Sequence, residues 1–182
     1  PLYPLLIAAY PVLGLLAAIL FARKFPDQVD RLMAVNVPLE AKAVSPRLRS
    51  PSSPADLADW LLSKDPLSEP AHVDALKADP QAITMSLNSL GTVNFLTAMD
   101  SMNTPCLIVH GENDPAVQTP DYERILSMPE RVHQVILEQC GHFPMLDQSA
   151  KFNRLMTDFL SLESGESPRQ LQLKEEWKRR VR

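Results

Sequence analysis

The sequence predicts an α/β fold: parallel sheet strands flanked by helices, with an all-helical insertion and a carboxyl-terminal amphipathic helix. Three observations carry this. Short apolar runs at residues 31–37, 105–110 and 132–137 alternate with helical patterns, and strands that alternate with helices build a parallel sheet. Between the first two runs lie three successive helical patterns with proline at or near the first turn. The 182 residues, 45% hydrophobic and 22% charged, make one domain with a sizeable core and exclude disorder and collagen-like repeats. Seventeen prolines against five glycines favour many short elements.

Residues 1–22 contain no charged side chain and no Ser, Thr, Asn or Gln, and Arg23 and Lys24 follow at once. Length and polarity make this stretch a transmembrane candidate, with the two basic residues on the cytoplasmic side. No basic region precedes it, which argues against a secretory signal peptide. Pro4 and Pro11 divide it instead into an opening apolar segment and a helix over residues 12–24. Two buried elements joined by a turn are therefore the preferred reading, beside the membrane anchor. Phe25, Pro26 and Asp27 end the helix, and residues 31–37 read as a strand buried on both faces.

A Pro/Ser-rich surface linker follows at residues 45–54, then helices over residues 54–63, 70–78 and 80 to about 102. Asp79 is placed to cap the last of these and Pro80 to take its first position. A strand at 105–110 ends in Gly111, a short helix spans 120–126, and a strand spans 132–137. An amphipathic helix over 147–162 carries Phe152, Leu155, Met156, Phe159 and Leu160 on one face. Residues 163–182 hold six Lys/Arg against four Asp/Glu, and Leu173, Trp177 and Val181 recur every fourth position. That pattern is a basic amphipathic helix. The expected division is 1–38, an opening strand, helix and following strand; 39–103, a helical insertion; 104–162, the rest of the sheet; and 163–182, the tail.

Net charge is −4, so no overall field gathers nucleic acid. Cys106 and Cys140 are too few for a disulfide framework and fit a reducing, cytoplasmic setting, with membrane association as the alternative. His72, His110 and His133 show no metal-ligand spacing and read as core or surface histidines, so no cofactor or metal is expected. Cys106 and Cys140 read as small buried residues.

In a parallel sheet the reactive groups sit on loops at the carboxyl ends of strands. Two such loops stand out. Residues 110–115 carry Asp114, and residues 138–145 carry His142 directly after Gly141. A carboxylate after one strand and an imidazole after the next can meet, the first fixing the tautomer of the second and leaving its other nitrogen as general base.

Residues 110–117, His-Gly-Glu-Asn-Asp-Pro-Ala-Val, and 141–147, Gly-His-Phe-Pro-Met-Leu-Asp, resemble the acid and histidine loops of the α/β-hydrolase superfamily. The order acid, one strand, histidine is that family's order, and residues 21–29 resemble the helix after its nucleophile elbow. The likeness spans about residues 12–162. It implies a partial α/β-hydrolase fold in which residues 39–103 are the cap, with Trp60, Leu61, Leu62, Phe95 and Leu96 lining a pocket for a small apolar substrate. Asp114 and His142 become the implied catalytic residues, and the implied reaction is hydrolysis of ester, amide or lactone-type bonds.

The family's G-x-S-x-G turn falls on residues 10–14, Tyr-Pro-Val-Leu-Gly, where only Gly14 matches. Val12 stands at the nucleophile's position, and a shift of one residue puts Pro11 there. The strands that precede the elbow in the family, with one oxyanion donor, are not in this sequence. The expectation is thus a truncated relative or pseudoenzyme, inactive as an isolated chain, with water or another chain's residue as attacker. Two alternatives stand beside it: a non-catalytic membrane-anchored or complex-bound subunit using residues 1–22 as a transmembrane helix and residues 171–182 for docking, and a binding protein that keeps the pocket without the chemistry.

Overall fold

The computed structural model describes residues 6–9, 12–49, 53–89 and 95–171. Four strands, β1 (Leu6–Ala9), β2 (Arg31–Val35), β3 (Cys106–Gly111) and β4 (Val132–Leu137), form one parallel sheet in that order. Ala9 lies beside Ala34, Val35 beside Val109, and Gly111 beside Leu137. All four carboxyl ends therefore share one edge. β2 and β3 are buried along their whole length, as central parallel strands covered on both faces must be.

Side chains alternate between the two faces. Leu32, Ala34, Cys106 and Ile108 join Ile19 and Ala22 of helix α1 (Val12–Lys24) in one apolar cluster. Met33, Val35, Leu107 and Val109 join another on the opposite face. That second cluster is closed by Phe152, Leu155 and Phe159 of a late helix described below. Arg31 is the charged exception within β2, only 6% exposed. Its guanidinium donates to the carbonyls of Phe159 and Leu162 and pairs with Asp30, so it ties the start of a strand to the end of that helix.

The strand and helix at the amino end correct one expectation. A single membrane-spanning helix over residues 1–22 is not what forms, because Leu6–Ala9 pairs with β2 and the helix after it has 13 residues. At 1.5 Å per residue that is about 20 Å, against about 30 Å of hydrocarbon. Among the described residues no helix is long and apolar enough to cross a membrane.

Between β2 and β3 come α2 (Pro46–Arg49), α3 (Pro54–Leu61), α4 (Glu69–Ala75), α5 (Pro80–Ser89) and α6 (Phe95–Asp100). Ser53 caps α3, its hydroxyl accepting from the Asp56 amide at 3.1 Å, with Pro54 as the first helical residue. Asp79 does the same for α5 through the Gln81 amide at 2.8 Å. The long helix expected from Pro80 to about Met102 is two helices. Residues 90–94, between them in the chain, lie outside the described residues.

After β3 come α7 (Tyr122–Leu126), capped by Asp121, then α8 (Pro144–Asp147) and α9 (Ser149–Leu160) beyond β4. The helix expected over 147–162 is thus α9 preceded by a separate turn. Of its predicted apolar face, Phe152, Leu155 and Phe159 are buried, whereas Leu160 is 45% exposed. Beyond α9 a 3₁₀ turn, Pro168–Gln170, docks on the sheet, where Arg169 donates to the carbonyls of Val132 and Met128. The basic helix expected to follow lies outside the described residues from position 172 onward.

Candidate active site

Asp114 and His142 are brought together at the carboxyl edge of the sheet, on the loops after β3 and β4. His142 Nδ1 donates to the carboxylate of Asp114, 2.8 Å from Oδ2 and 3.0 Å from Oδ1. A carboxylate only accepts, so the proton sits on Nδ1, and Nε2 is left as the ring's lone-pair nitrogen in the neutral form. Asp114 is fixed from its other side by its own loop: Oδ1 also accepts from the amides of Ala116 and Val117 at 2.8 and 3.2 Å. The Asp114 side chain is 1% exposed and that of His142 9%. Water competes little for this contact, and a charge on the imidazole would be met directly by the carboxylate.

The close approach of the two loops depends on glycine at 111. A Cβ there would stand 2.0 Å from the carbonyl oxygen of Gly141 and 2.6 Å from that of Cys140, both backbone atoms that cannot move aside. Across this gap the Asn113 amide donates to the Cys140 carbonyl and the Glu112 amide to that of Leu137. Glu112 in turn accepts from the Gln139 amide. Asp147 holds the histidine loop from below, accepting from the Gly141 amide at 2.7 Å. The ring of Phe143 meets His142 edge to face, with centroids 5.2 Å apart.

Asn36, just after β2, was missed by reading the sequence for chemistry. Its φ is +46°, a left-handed conformation that asparagine tolerates better than most residues. Its amide nitrogen donates to the carbonyls of Gly141 and His142, and its oxygen accepts from the Gly111 amide at 2.8 Å. One buried side chain thus joins three strand ends. The available signal was an asparagine closing an apolar run at the edge where reactive loops gather.

Val12 is the first residue of α1, which follows β1 in the chain, and the carboxyl end of β1 lies at the same edge of the sheet as the loop of His142. Tyr10 and Pro11, between the two, lie outside the described residues. Cys140, two residues before His142, is fully buried, and burial with Asp147 nearby pushes its thiol up to about 11. Cys106 is likewise buried and raised to about 12. Both are poor nucleophiles. His72 contacts the Ser63 carbonyl within the helical insertion, 3.3 Å away. Among the described residues no group of three or more His, Cys, Asp or Glu could hold a metal ion.

Above the loops, a cleft of about 450 Å³ runs between Trp60, Leu61 and Asp65 on one side and Asn113, Pro115 and Gly141 on the other. A second, apolar cavity of about 350 Å³ lies between α3 and α4, with Leu57, Leu61, Leu62 and Ala75 in its wall and Phe143 at its floor. Trp60, Leu61 and Leu62 therefore line these spaces as expected. Phe95 and Leu96 do not: they are 1% and 5% exposed and pack into the core with α1. They open α6, which the sheet needs as a cover.

The family model that describes the alpha/beta hydrolase family matches residues 4–155. The chain belongs to that family. Among curated proteins, this hydrolase-family chain is 26% identical over 135 residues to 2-hydroxy-6-oxononadienedioate/2-hydroxy-6-oxononatrienedioate hydrolase of Paraburkholderia xenovorans (strain LB400). The match covers 74% of the chain and 41% of that relative. Among solved structures it resembles a meta-cleavage product hydrolase from Pseudomonas fluorescens IP01, with a TM-score of 0.64 and 17% identity. It also resembles 2-hydroxy-6-oxo-6-phenylhexa-2,4-dienoate hydrolase from Rhodococcus sp. strain RHA1, with a TM-score of 0.66 and 13% identity. These alignments cover 86% and 87% of the chain but 64% of each structure. The hydrolase fold is shared; the chain spans about two fifths of the curated relative's length and less than two thirds of the solved ones.

Proposed function

We propose that the chain carries the acid–base part of a hydrolase acting on ester, amide or lactone-type bonds, with His142 as general base and Asp114 as the carboxylate that orients it. The observation that carries this reading is the 2.8 Å contact between a nearly buried carboxylate and an imidazole on adjoining loops. The relatives named as hydrolases support hydrolysis as the reaction class, without fixing the substrate.

Valine has no atom that can attack a carbonyl, so attack falls to a water molecule or to a residue of another chain. In the water case, His142 Nε2 takes one proton as the oxygen bonds to the carbonyl carbon. The same proton then passes to the leaving alcohol or amine, and the acid and alcohol or amine are released. Asp114 holds the tautomer and balances the imidazolium. The apolar cavity between α3 and α4 suits a small uncharged substrate group.

The test uses the full chain with a series of neutral aryl esters and a fluorophosphonate probe read by mass spectrometry. Slow turnover that falls at least about 100-fold in His142→Gln is expected, in line with general-base contributions. No covalent fluorophosphonate adduct is expected. Turnover indifferent to His142→Gln, or clear labelling of a side chain, would overturn the reading. The same valine favours a second reading, a binding protein or complex-bound subunit that keeps the pocket; ligand-induced thermal stabilisation without any His142-dependent turnover is its mark.

A further inference from the structure

β4 is the last strand on one side of the sheet, with β3 as its neighbour and no strand beyond it among the described residues. In a parallel ladder the backbone groups of alternate residues point to opposite sides. Arg131 and Leu137 turn their carbonyls to β3, accepting from the Cys106 and Glu112 amides, so the backbones of Val132, Gln134 and Ile136 face outward. Val132 is provided for: its amide donates to the Pro129 carbonyl, and its own carbonyl accepts from Arg169. The outward amides and carbonyls of Gln134 and Ile136 have no partner among the described residues.

Side chains add to this surface. Ile136 is 49% exposed, and α7, which packs against β4, leaves Tyr122 and Leu126 exposed four residues apart on one of its faces. An open strand edge bordered by apolar side chains invites pairing with another chain unless something covers it. Residues 121–138, which build the surface, also expose Asp121, Glu123, Glu130 and Glu138 against Arg124. Arg131 is engaged with the carbonyls of Asp100 and Met102.

The end of the described chain already runs along this edge. Ser167 donates to the Glu130 carbonyl and Arg169 to those of Met128 and Val132. Leu171 then packs against the cluster that holds Val135 and Leu137. Residues 172–182 follow with five Lys/Arg against two Glu, and their apolar members are Leu173, Trp177 and Val181. Ile136 stands about 13 Å along β4 from Val132, and the six residues from Leu171 to Trp177 span up to about 20 Å.

We propose that residues 172–182 dock on the outer edge of β4, with their basic residues against these carboxylates and Trp177 on the patch of Ile136, Tyr122 and Leu126. The sheet's open edge is thereby covered by the chain's own tail. Nothing in this depends on the hydrolase reading.

NMR on the full chain tests it through the Trp177 indole signal, assigned by its loss in Trp177→Ser, and through exchange of the Gln134 and Ile136 amides. Nuclear Overhauser contacts between the Trp177 ring and the Ile136 methyls are expected, and they should persist on dilution. In Trp177→Ser the two amides should exchange at least about 10-fold faster, as an edge freed to open locally does. In Ile136→Lys, which repels the basic tail, the indole should move to the position of an exposed tryptophan. An indole already at that position in the unsubstituted chain would overturn the proposal. So would one that is shielded yet unmoved by Ile136→Lys, because the tail would then be docked elsewhere. Contacts that vanish on dilution would make the occupant a second copy, and an indole that shifts only with anionic phospholipid vesicles would make it a membrane; either overturns docking within the chain. If a variant does not fold, the Overhauser contacts decide by themselves, and their absence overturns the proposal.

Discussion

Asn36 makes three hydrogen bonds to two loops that never touch it in sequence, and each one replaces a contact with water that burial has removed. Asn36→Ala leaves two carbonyls and an amide without that partner. A loss of about 2–4 kcal/mol is expected, read from urea unfolding as a lower midpoint at constant slope. Gly111→Ala drives a methyl group into the Gly141 carbonyl and is expected to cost about 3 kcal/mol or more. It should also part Asp114 from His142, so its effect on any turnover should exceed that of an equally destabilising substitution in α9. His110 adds a pH dependence. Unfolded, its ring takes a proton near pH 6.5; folded, it resists until about 4, so the unfolded chain binds more protons in between. This contribution is full above pH 6.5 and is lost as pH falls toward 4, by about 3 kcal/mol. Equilibrium unfolding at pH 7 and pH 4.5 should show it, and His110→Phe should remove that share of the difference. The contact between Asp114 and His142 was legible because each stands on a loop after a clear strand, with glycine beside the histidine. Asn36 was not, because its importance comes from a backbone conformation and from loops 75 and more residues away.

At the level of elements, strands were read more securely than helices. β4 begins and ends where the apolar pattern does, and β3 differs by one residue. Helices in the insertion were legible at their starts, where Ser53 with Pro54 and Asp79 with Pro80 supply capping chemistry that needs no tertiary partner. Their ends were not, since nothing local forbids another turn and packing decides. α9 shows what packing is worth. Phe159 is fully buried against β2 and β3, with the Arg31 guanidinium 5.5 Å from its ring. Phe159→Ala is expected to cost about 3–5 kcal/mol, against under about 0.5 for Leu160→Ala on the exposed side of the same helix. Thermal unfolding of the two variants side by side checks it.

For the molecule as a whole, alternation of strands and helices predicted the parallel sheet, and two loop motifs predicted that Asp114 and His142 would meet at its carboxyl edge. The amino end was ambiguous for a physical reason. A four-residue strand paired into a sheet and a stretch of lipid-facing helix are written in the same apolar residues, and only pairing with β2 tells them apart. The helical insertion is tied down where it begins. Val44 bridges to Val117, while the Ser45 amide donates to the Ala116 carbonyl and the Gln118 amide to that of Ala43. These bonds staple the first residues of the insertion to the very segment whose amides grip Asp114. Motion of the insertion's helices would then leave the carboxylate's grip in place, and amide exchange at Ser45 and Gln118 should stay slow while those helices breathe.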